Sequence, residues 1–251
     1  MVSAPDPGML PPGGMALVPA YNEQSSIGAT LAQLAVDAPG VQVVVIDDGS
    51  VDRTGEIARE AGAVVLTMPF NVGIGGALRT GFRYAAERGA SWAVQVDADG
   101  QHDPSQLTAL VAPLVDGADL VIGSRFLDPG ATYEAGRMRR RAMSLLTLTL
   151  RGLSGRSFTD TSSGFRAFSP RAVAYFARNY PAEYMESVEA LLMACYAGLR
   201  VVEVPVTMRS RSGGVASTRR LRLLYHYLRI YAVLFSSASR RRRPEFGRAE
   251  P

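Results

Sequence analysis

Short runs of β-branched and aliphatic residues alternate with segments whose apolar positions recur at helical spacing, and the alternation is regular from Met15 to Gly123. Met15-Ala16-Leu17-Val18-Pro19 reads as a short strand. Ala20-Tyr21-Asn22-Glu23 follows, with Ser25 or Ser26 placed to cap a helix that carries Ile27, Leu31 and Leu34 at helical spacing. Val41 to Ile46 has the near-continuous β-branched character of a strand buried on both faces. The polar turn Asp47 to Thr54 leads from it into a helix, Gly55 to Ala61. Ala63 to Leu66 is a third strand, the glycine-rich Asn71–Ala77 opens a helix to about Glu87, and Trp92 to Val96 is a fourth strand. Beyond these, helices are predicted over Pro104–Leu114, Ala142–Leu150, from Pro170, and over Tyr184–Tyr196. Leu120–Ile122 is a further strand, and Val201–Val206 alternates as an edge strand, where Pro205 is tolerated. Strands alternating with helices predict an α/β fold with a mostly parallel central sheet flanked by helices.

In such sheets ligands bind outside the carboxyl ends of the strands. Glu23, Asp47, Asp48, Asp97 and Asp99 all fall at or just past predicted strand ends. The densest cluster is Asp97-Ala98-Asp99-Gly100-Gln101-His102, where a turn after the strand can aim two carboxylates at one point. Hard divalent cations take oxygen ligands, and Mg²⁺ is usually held by one or two carboxylates plus substrate phosphates. The same residue types also make an ordinary polar exit from a strand. The shared strand-end placement of all these carboxylates is what favours a nucleotide site. Two readings stay open for the glycine-rich segment: its helix N-terminus can meet phosphate, or its small residues let the helix pack closely on the sheet. Its spacing, Gly73, Gly75, Gly76, is not G-x-G-x-x-G and no Gly-Lys-Ser/Thr follows, which argues against a dinucleotide fingerprint or a P-loop.

Composition narrows the classes. Of 251 residues, 47% are hydrophobic and 20% charged, as in a globular chain. The lone Cys195 excludes an internal disulfide framework and a multi-cysteine zinc site, and points to a reducing compartment. The net charge of +4 is unevenly distributed: residues 200–251 hold 12 Arg against 3 Glu, whereas residues 1–199 hold 15 Arg against 20 acidic residues. An acidic body with a basic end argues against nucleic acid as the partner and for an anionic surface met by the tail. Within that tail Leu221, Leu224, Tyr225, Leu228, Tyr231, Ala232 and Phe235 recur at helical spacing, and Arg240–Arg243 follow. This is the pattern of an in-plane membrane helix with a polybasic end, or of a terminal helix docked on the body beside a solvated charge run. No uninterrupted apolar run reaches the roughly 18 residues of a membrane span. Met1 to Gly14 is rich in Pro and Gly and reads as a disordered lead-in.

Six segments in series resemble the inverting family 2 glycosyltransferases of GT-A (Rossmann-like) fold, in their polyprenyl-phosphate, dolichyl-phosphate mannose synthase-like branch. They are Val18-Pro19-Ala20-Tyr21-Asn22-Glu23, Asp47-Asp48-Gly49-Ser50-x-Asp52-x-Thr54, Asn71-x-Gly73-x-Gly75-Gly76-Ala77, Asp97-Ala98-Asp99-Gly100-Gln101-His102, Gly123-Ser124-Arg125 and Ser163-Gly164-Phe165-Arg166. The resemblance implies that Pro19, Ala20, Tyr21 and Glu23 cradle base and ribose, and that Asp48, with Asp47 beside it, binds the nucleoside. Gly76 and Ala98 join the implied nucleotide contacts. Asp97 and Asp99 would hold Mg²⁺ or Mn²⁺ against the diphosphate of a UDP- or GDP-sugar, with Gln101 assisting. Arg125 and an Arg of the 137–141 cluster, Arg140, would bind the acceptor phosphate, while Ser124, Asp160 and Ser163 shape the acceptor side. The catalytic set so implied is Asp99, Arg125, Arg140 and Asp160.

Residue chemistry agrees with a phosphate acceptor. An alcohol needs a carboxylate base within hydrogen-bond reach, whereas a lipid phosphate is already ionised and needs cationic positioning, which Arg supplies bidentately. The chain departs from the branch at Gly100, where many members carry Leu, and in having one short Arg-interrupted C-terminal segment where many have transmembrane helices. A glycan or small-molecule hydroxyl, with Asp160 as base and Glu186 or Glu189 behind it, is therefore the alternative acceptor. A non-catalytic membrane-associated nucleotide-sugar-binding subunit is an alternative of another class. The expected organisation is a lead-in over 1–14, a catalytic domain over 15–210 and a basic amphipathic membrane-surface segment over 211–251. The expected location is cytoplasmic, peripheral on the cytoplasmic face of the membrane, with a membrane partner subunit possible.

Overall fold

The structure, a computed structural model, describes residues 10–127, 137–181 and 186–209. Among these residues, seven strands form one sheet: β1 (Gly14–Ala20), β2 (Gln42–Asp47), β3 (Val64–Thr67), β4 (Trp92–Gln95), β5 (Leu120–Ser124), β6 (Arg166–Phe168) and β7 (Val201–Pro205). Their order is β3-β2-β1-β4-β6-β5-β7. All pairings are parallel except those of β6, which runs antiparallel to both neighbours. The α/β expectation holds, and β7 lies at the sheet edge as its alternation and Pro205 predict.

The strand absent from the sequence reading is β6. Its three residues are too few to carry a period, and they sit between the Ser-Gly-Phe motif and a helix. Burial decides their conformation: Arg166, Ala167 and Phe168 are all enclosed between β4 and β5.

Among the described residues, seven helices cover the sheet: α1 (Ile27–Asp37), α2 (Thr54–Glu60), α3 (Ile74–Glu87), α4 (Leu107–Val115, after a 3₁₀ turn Pro104–Gln106), α5 (Arg137–Ser154), α6 (Pro170–Asn179) and α7 (Glu186–Tyr196). Adjacent strand residues face opposite sides, so β1 serves two cores. Leu17 joins Ile46, Phe82, Phe168, Phe176 and Leu191 under α3, α5, α6 and α7. Ala16 and Val18 join Ile27, Val45, Leu110 and Val121 under α1, α2 and α4. Phe82 meets Phe168 edge-on with centroids 4.7 Å apart, fixing α3 over β6.

The chain enters the sheet before Met15: Trp92 Nε1 donates to the Pro11 carbonyl at 2.9 Å, and β1 begins at Gly14. The Arg137–Arg141 cluster belongs to the first turns of α5, not to a loop ahead of a helix starting at Ala142. Once a helix is nucleated, Arg and Met propagate it well. The predicted start of α7 at Tyr184 and the amphipathic stretch 219–239 lie outside the described residues. Among the described residues, no helix is long and apolar enough to cross a membrane.

Candidate active site

The carboxyl ends of β1, β2 and β4 open into a cleft of about 340 Å³. The β1 exit supplies Pro19, Ala20, Tyr21 and Glu23, the β2 exit Asp48, and the β4 exit Asp97, Ala98 and Asp99. Asn71, Gly73, Ile74 and Ala77 close the side where α3 begins. The sequence motif by itself assigns these four no individual roles. The signal that could have found them is Gly73, whose φ of 85° lets the chain turn into α3 at the cleft wall.

Polar turns hold the cleft walls together. Asn22, in the left-handed region at φ 54°, donates from its backbone to Ser50 Oγ at 3.0 Å and accepts from Val51 N at 2.9 Å. Glu23 N donates to Thr54 Oγ1 at 2.8 Å. Ser26 occupies the N-cap position of α1, yet its hydroxyl donates to the Glu23 carboxylate at 2.8 Å instead of capping the helix. Both oxygens of Asp48 accept backbone N–H groups from the opposite wall, Val72 at 2.8 Å and Gly73 at 2.9 Å. Burial pushes the Asp48 carboxyl up, against the opposing pull of those two N–H groups.

Two expected nucleotide contacts do not line the cleft. Asp47 is buried and its Oδ1 accepts from Ser50 N at 3.0 Å, so its carboxylate shapes the turn after β2. At Gly76 a Cβ would come within 2.7 Å of Val72 Cγ2. A side chain at Gly76 would press on Val72 in the loop that leads into α3, a contact within the segment and not with the sheet.

The β4 exit is tightly wound. Asp97 N donates to His102 Nδ1 at 3.0 Å, Asp99 Oδ1 accepts from Gln101 N at 3.0 Å, and Thr30 Oγ1 donates to the Ala98 carbonyl at 3.1 Å. Asp97 and Asp99 both line the cleft, and the Asp97 side chain is 32% exposed. Gln101 is half-buried, outside the cleft lining. Among the described residues, no group of three or more His, Cys, Asp or Glu converges as a closed metal site. The donor set nonetheless fits a hard cation of the Mg²⁺ or Mn²⁺ kind, with two carboxylates opening on a cleft and phosphate oxygens left to complete the sphere.

On the same edge of the sheet, just past β5, Arg125 meets Asp160 in a bidentate pair. Nε donates to Oδ2 at 2.7 Å and Nη2 to Oδ1 at 2.9 Å, and Nη2 also donates to Ser162 Oγ at 2.8 Å. Asp160 is fully buried. Burial is the largest influence and acts to raise its pKa, but the Arg125 guanidinium, together with the Arg125 backbone N–H and the Ser162 hydroxyl, holds the carboxyl below the usual carboxylate range. Behind it, the Glu203 carboxylate on β7 accepts from Thr159 N and Asp160 N, both at 2.9 Å through Oε1. Sequence reading missed Glu203, because nothing in an alternating edge strand announces which loop it will hold.

Asp160 was also the candidate base for a hydroxyl acceptor. With both oxygens engaged by Arg125 and no exposure, its geometry is that of a group that orients Arg125. Ser124 shares a 2.6 Å hydrogen bond with Thr159 Oγ1, and Ser163 Oγ accepts from Phe165 N at 3.3 Å. Both serines are buried, so each shapes its own loop. Arg140 lies on α5, and its side chain is outside the described residues. The loop 160–165 links the two halves of the site: Asp160 holds Arg125, while Gly164 packs against Asp97.

Residues 15–176 match the family described as glycosyl transferase family 2. The polyprenol monophosphomannose synthase of Mycolicibacterium smegmatis is 33% identical over 211 residues, covering 80% of this chain and 79% of that protein. The undecaprenyl-phosphate mannosyltransferase of Micrococcus luteus is 35% identical over 208 residues, covering 80% of this chain and 85% of that protein. Among solved structures, glucosyl-3-phosphoglycerate synthase from Mycobacterium tuberculosis, crystallised with Mn²⁺, uridine diphosphate and glucosyl-3-phosphoglycerate, superposes with a TM-score of 0.70 at 24% identity. That match covers 91% of this chain and 80% of the other, and it is a likeness of fold.

Proposed function

This chain belongs to glycosyl transferase family 2, and from that premise we propose that it transfers a sugar, with inversion, from a UDP- or GDP-sugar to a polyprenyl phosphate with Mg²⁺ or Mn²⁺ bound. The observation that carries the reading is the shared cleft: Asp97 and Asp99 open on the same space as Pro19, Tyr21, Glu23 and Asp48. The names of the two relatives support a lipid-phosphate acceptor. The Mn²⁺ and uridine diphosphate in the structural neighbour support the cation.

In this reading the β1 exit and Asp48 seat the nucleoside, and Asp97 and Asp99, with Gln101 assisting, hold the cation. When bound, the cation neutralises negative charge developing on the departing diphosphate. An acceptor phosphate oxygen attacks the anomeric carbon from the face opposite the diphosphate and carries its own negative charge, so no protein base is required. Arg125, aimed by Asp160, and Arg140 neutralise and orient that phosphate. A hydroxyl acceptor would need a base, and the engagement of Asp160 by Arg125 counts against it. Residues 15–210 form the catalytic domain, and 211–251 rest on an anionic membrane surface at the cytoplasmic face, beside a membrane subunit where one is present.

The test is to incubate the protein with Mn²⁺, a short-chain polyprenyl phosphate and each common labelled UDP- or GDP-sugar in turn. A chloroform-soluble labelled product is expected from one donor. No such product from any donor, alongside transfer to a soluble glycan, would overturn the lipid-phosphate reading.

A further inference from the structure

The Asp97 carboxylate is lined on its protein side by His102, Gln95 and Gly164. His102 is 3% exposed and stacks on Phe165, with ring centroids 4.7 Å apart. Its Nδ1 accepts the N–H of Asp97 at 3.0 Å, which puts the ring proton on Nε2. Nε2 faces Asp97 Oδ2 at 3.5 Å. The imidazole therefore hydrogen-bonds the Asp97 backbone and sets its ring N–H beside the Asp97 carboxylate, at a separation longer than a normal hydrogen bond. On the other oxygen, Gln95 Nε2 donates to Asp97 Oδ1 at 3.3 Å, although Gln95 is only 1% exposed and its Oε1 finds no hydrogen-bond partner among the described residues. A flipped amide would set oxygen against carboxylate, so the orientation of Gln95 follows from Asp97. The third wall is Gly164, where a Cβ would lie 3.3 and 3.4 Å from the two Asp97 oxygens and 3.0 Å from Gln95 Nε2.

We propose that His102 is a positioning residue that fixes the direction of the Asp97 carboxylate toward the cation, with Gln95 and Gly164 completing the socket. The inference rests on the reading of Asp97 as a cation ligand. A carboxylate whose oxygens are both oriented from behind presents its remaining lone pairs to the cleft without rotating, and partners of this kind commonly change metal affinity 10–100-fold. The 32% exposure of Asp97 is the open side of that socket.

The experiment measures Mn²⁺ affinity by electron paramagnetic resonance of free Mn²⁺ in the presence of uridine diphosphate, alongside nucleotide affinity in EDTA and thermal midpoint. His102→Asn keeps an acceptor for the Asp97 N–H but cannot reach Oδ2. His102→Phe keeps the stack on Phe165 and removes both polar contacts. Both are expected to weaken Mn²⁺ binding about 10-fold or more, with nucleotide affinity in EDTA changed less than about 2-fold. Gly164→Ala, whose Cβ would crowd Gln95 Nε2 and both Asp97 oxygens, is expected to weaken Mn²⁺ in the same selective way. If His102→Asn folds and binds Mn²⁺ as the parent does, the proposal is overturned. It is equally overturned if Mn²⁺ and metal-free nucleotide affinity fall together with the thermal midpoint, the signature of a merely structural residue. Asp97→Asn separates the two levels: if it leaves Mn²⁺ affinity unchanged, the cation reading itself fails and the role of His102 falls with it.

Discussion

Asp160→Asn removes one charge from the most enclosed ion pair described here. Asp160 has no exposure and the Arg125 side chain is 10% exposed, with two hydrogen bonds of 2.7 and 2.9 Å between them. Breaking such a pair from one side leaves an uncompensated buried charge, at a cost of about 3–5 kcal/mol. The amide of Asn can still accept one of the two guanidinium bonds, so the lower figure, about 3 kcal/mol, is expected. For a chain of this size that is a fall of roughly 6–12 °C in thermal midpoint, at about 2–4 °C per kcal/mol. Circular dichroism melts and urea titrations of the parent, Asp160→Asn, Arg125→Leu and the double variant would measure it. With Arg125 already replaced, the Asp160 carboxylate is itself the uncompensated buried charge, so Asp160→Asn should then cost nothing or stabilise, and the two sites should be coupled by about 3 kcal/mol or more. Equal costs with and without Arg125 would refute the pair as the anchor of the β5 exit. The pH dependence has a definite sign. Because the folded carboxyl is held below its unfolded value near 4 (about 3.9), its contribution is complete above that value and is lost as pH falls through the depressed folded pKa. The gap between parent and Asp160→Asn should therefore close below about pH 4.

Gly49→Ala is expected to cost about 2–4 kcal/mol in urea unfolding, because φ is +72° and a Cβ would lie 2.7 Å from the Phe70 carbonyl carbon and 2.8 Å from Asn71 N; a loss below about 0.5 kcal/mol would show that this turn gives way easily. Asp48→Asn keeps one of the two N–H acceptors facing Val72 and Gly73, so donor affinity measured by calorimetry should fall about 10-fold, or 1.4 kcal/mol, and the melting temperature should fall as well, since one N–H loses its acceptor at about 1–3 kcal/mol. Asp97→Asn should abolish the added thermal protection that Mn²⁺ confers with uridine diphosphate, which for a ligand at 100 Kd amounts to about 2.7 kcal/mol. Replacing Arg240–Arg243 with Ser should release the protein from phosphatidylserine vesicles in a flotation assay, by about 4 kcal/mol at roughly 1 kcal/mol per Arg; a parent protein that does not float would argue for a helix docked on the body.

The alternation of apolar runs and helical spacing determined the α/β class, the parallel strands and the sheet edge at β7, because burying a strand on both faces demands continuous apolar sequence. The strand-end position of Glu23, Asp48, Asp97 and Asp99 likewise announced one cleft before any coordinates, since strand polarity alone puts those ends on one side of the sheet. What the chain order could not reveal is which distant groups meet. β6 is three residues long, and its antiparallel insertion between β4 and β5 comes from burial, not periodicity. That insertion carries loop 160–165 across the sheet edge, bringing Asp160 to Arg125 and Gly164 to Asp97. The same folding commits the Asp47 carboxylate to its own turn, although its residue type matches its motif as well as Asp48 does. Motif chemistry is local and therefore readable along the chain. The orientation of a buried side chain is set by neighbours tens of residues away, and only the tertiary structure supplies them.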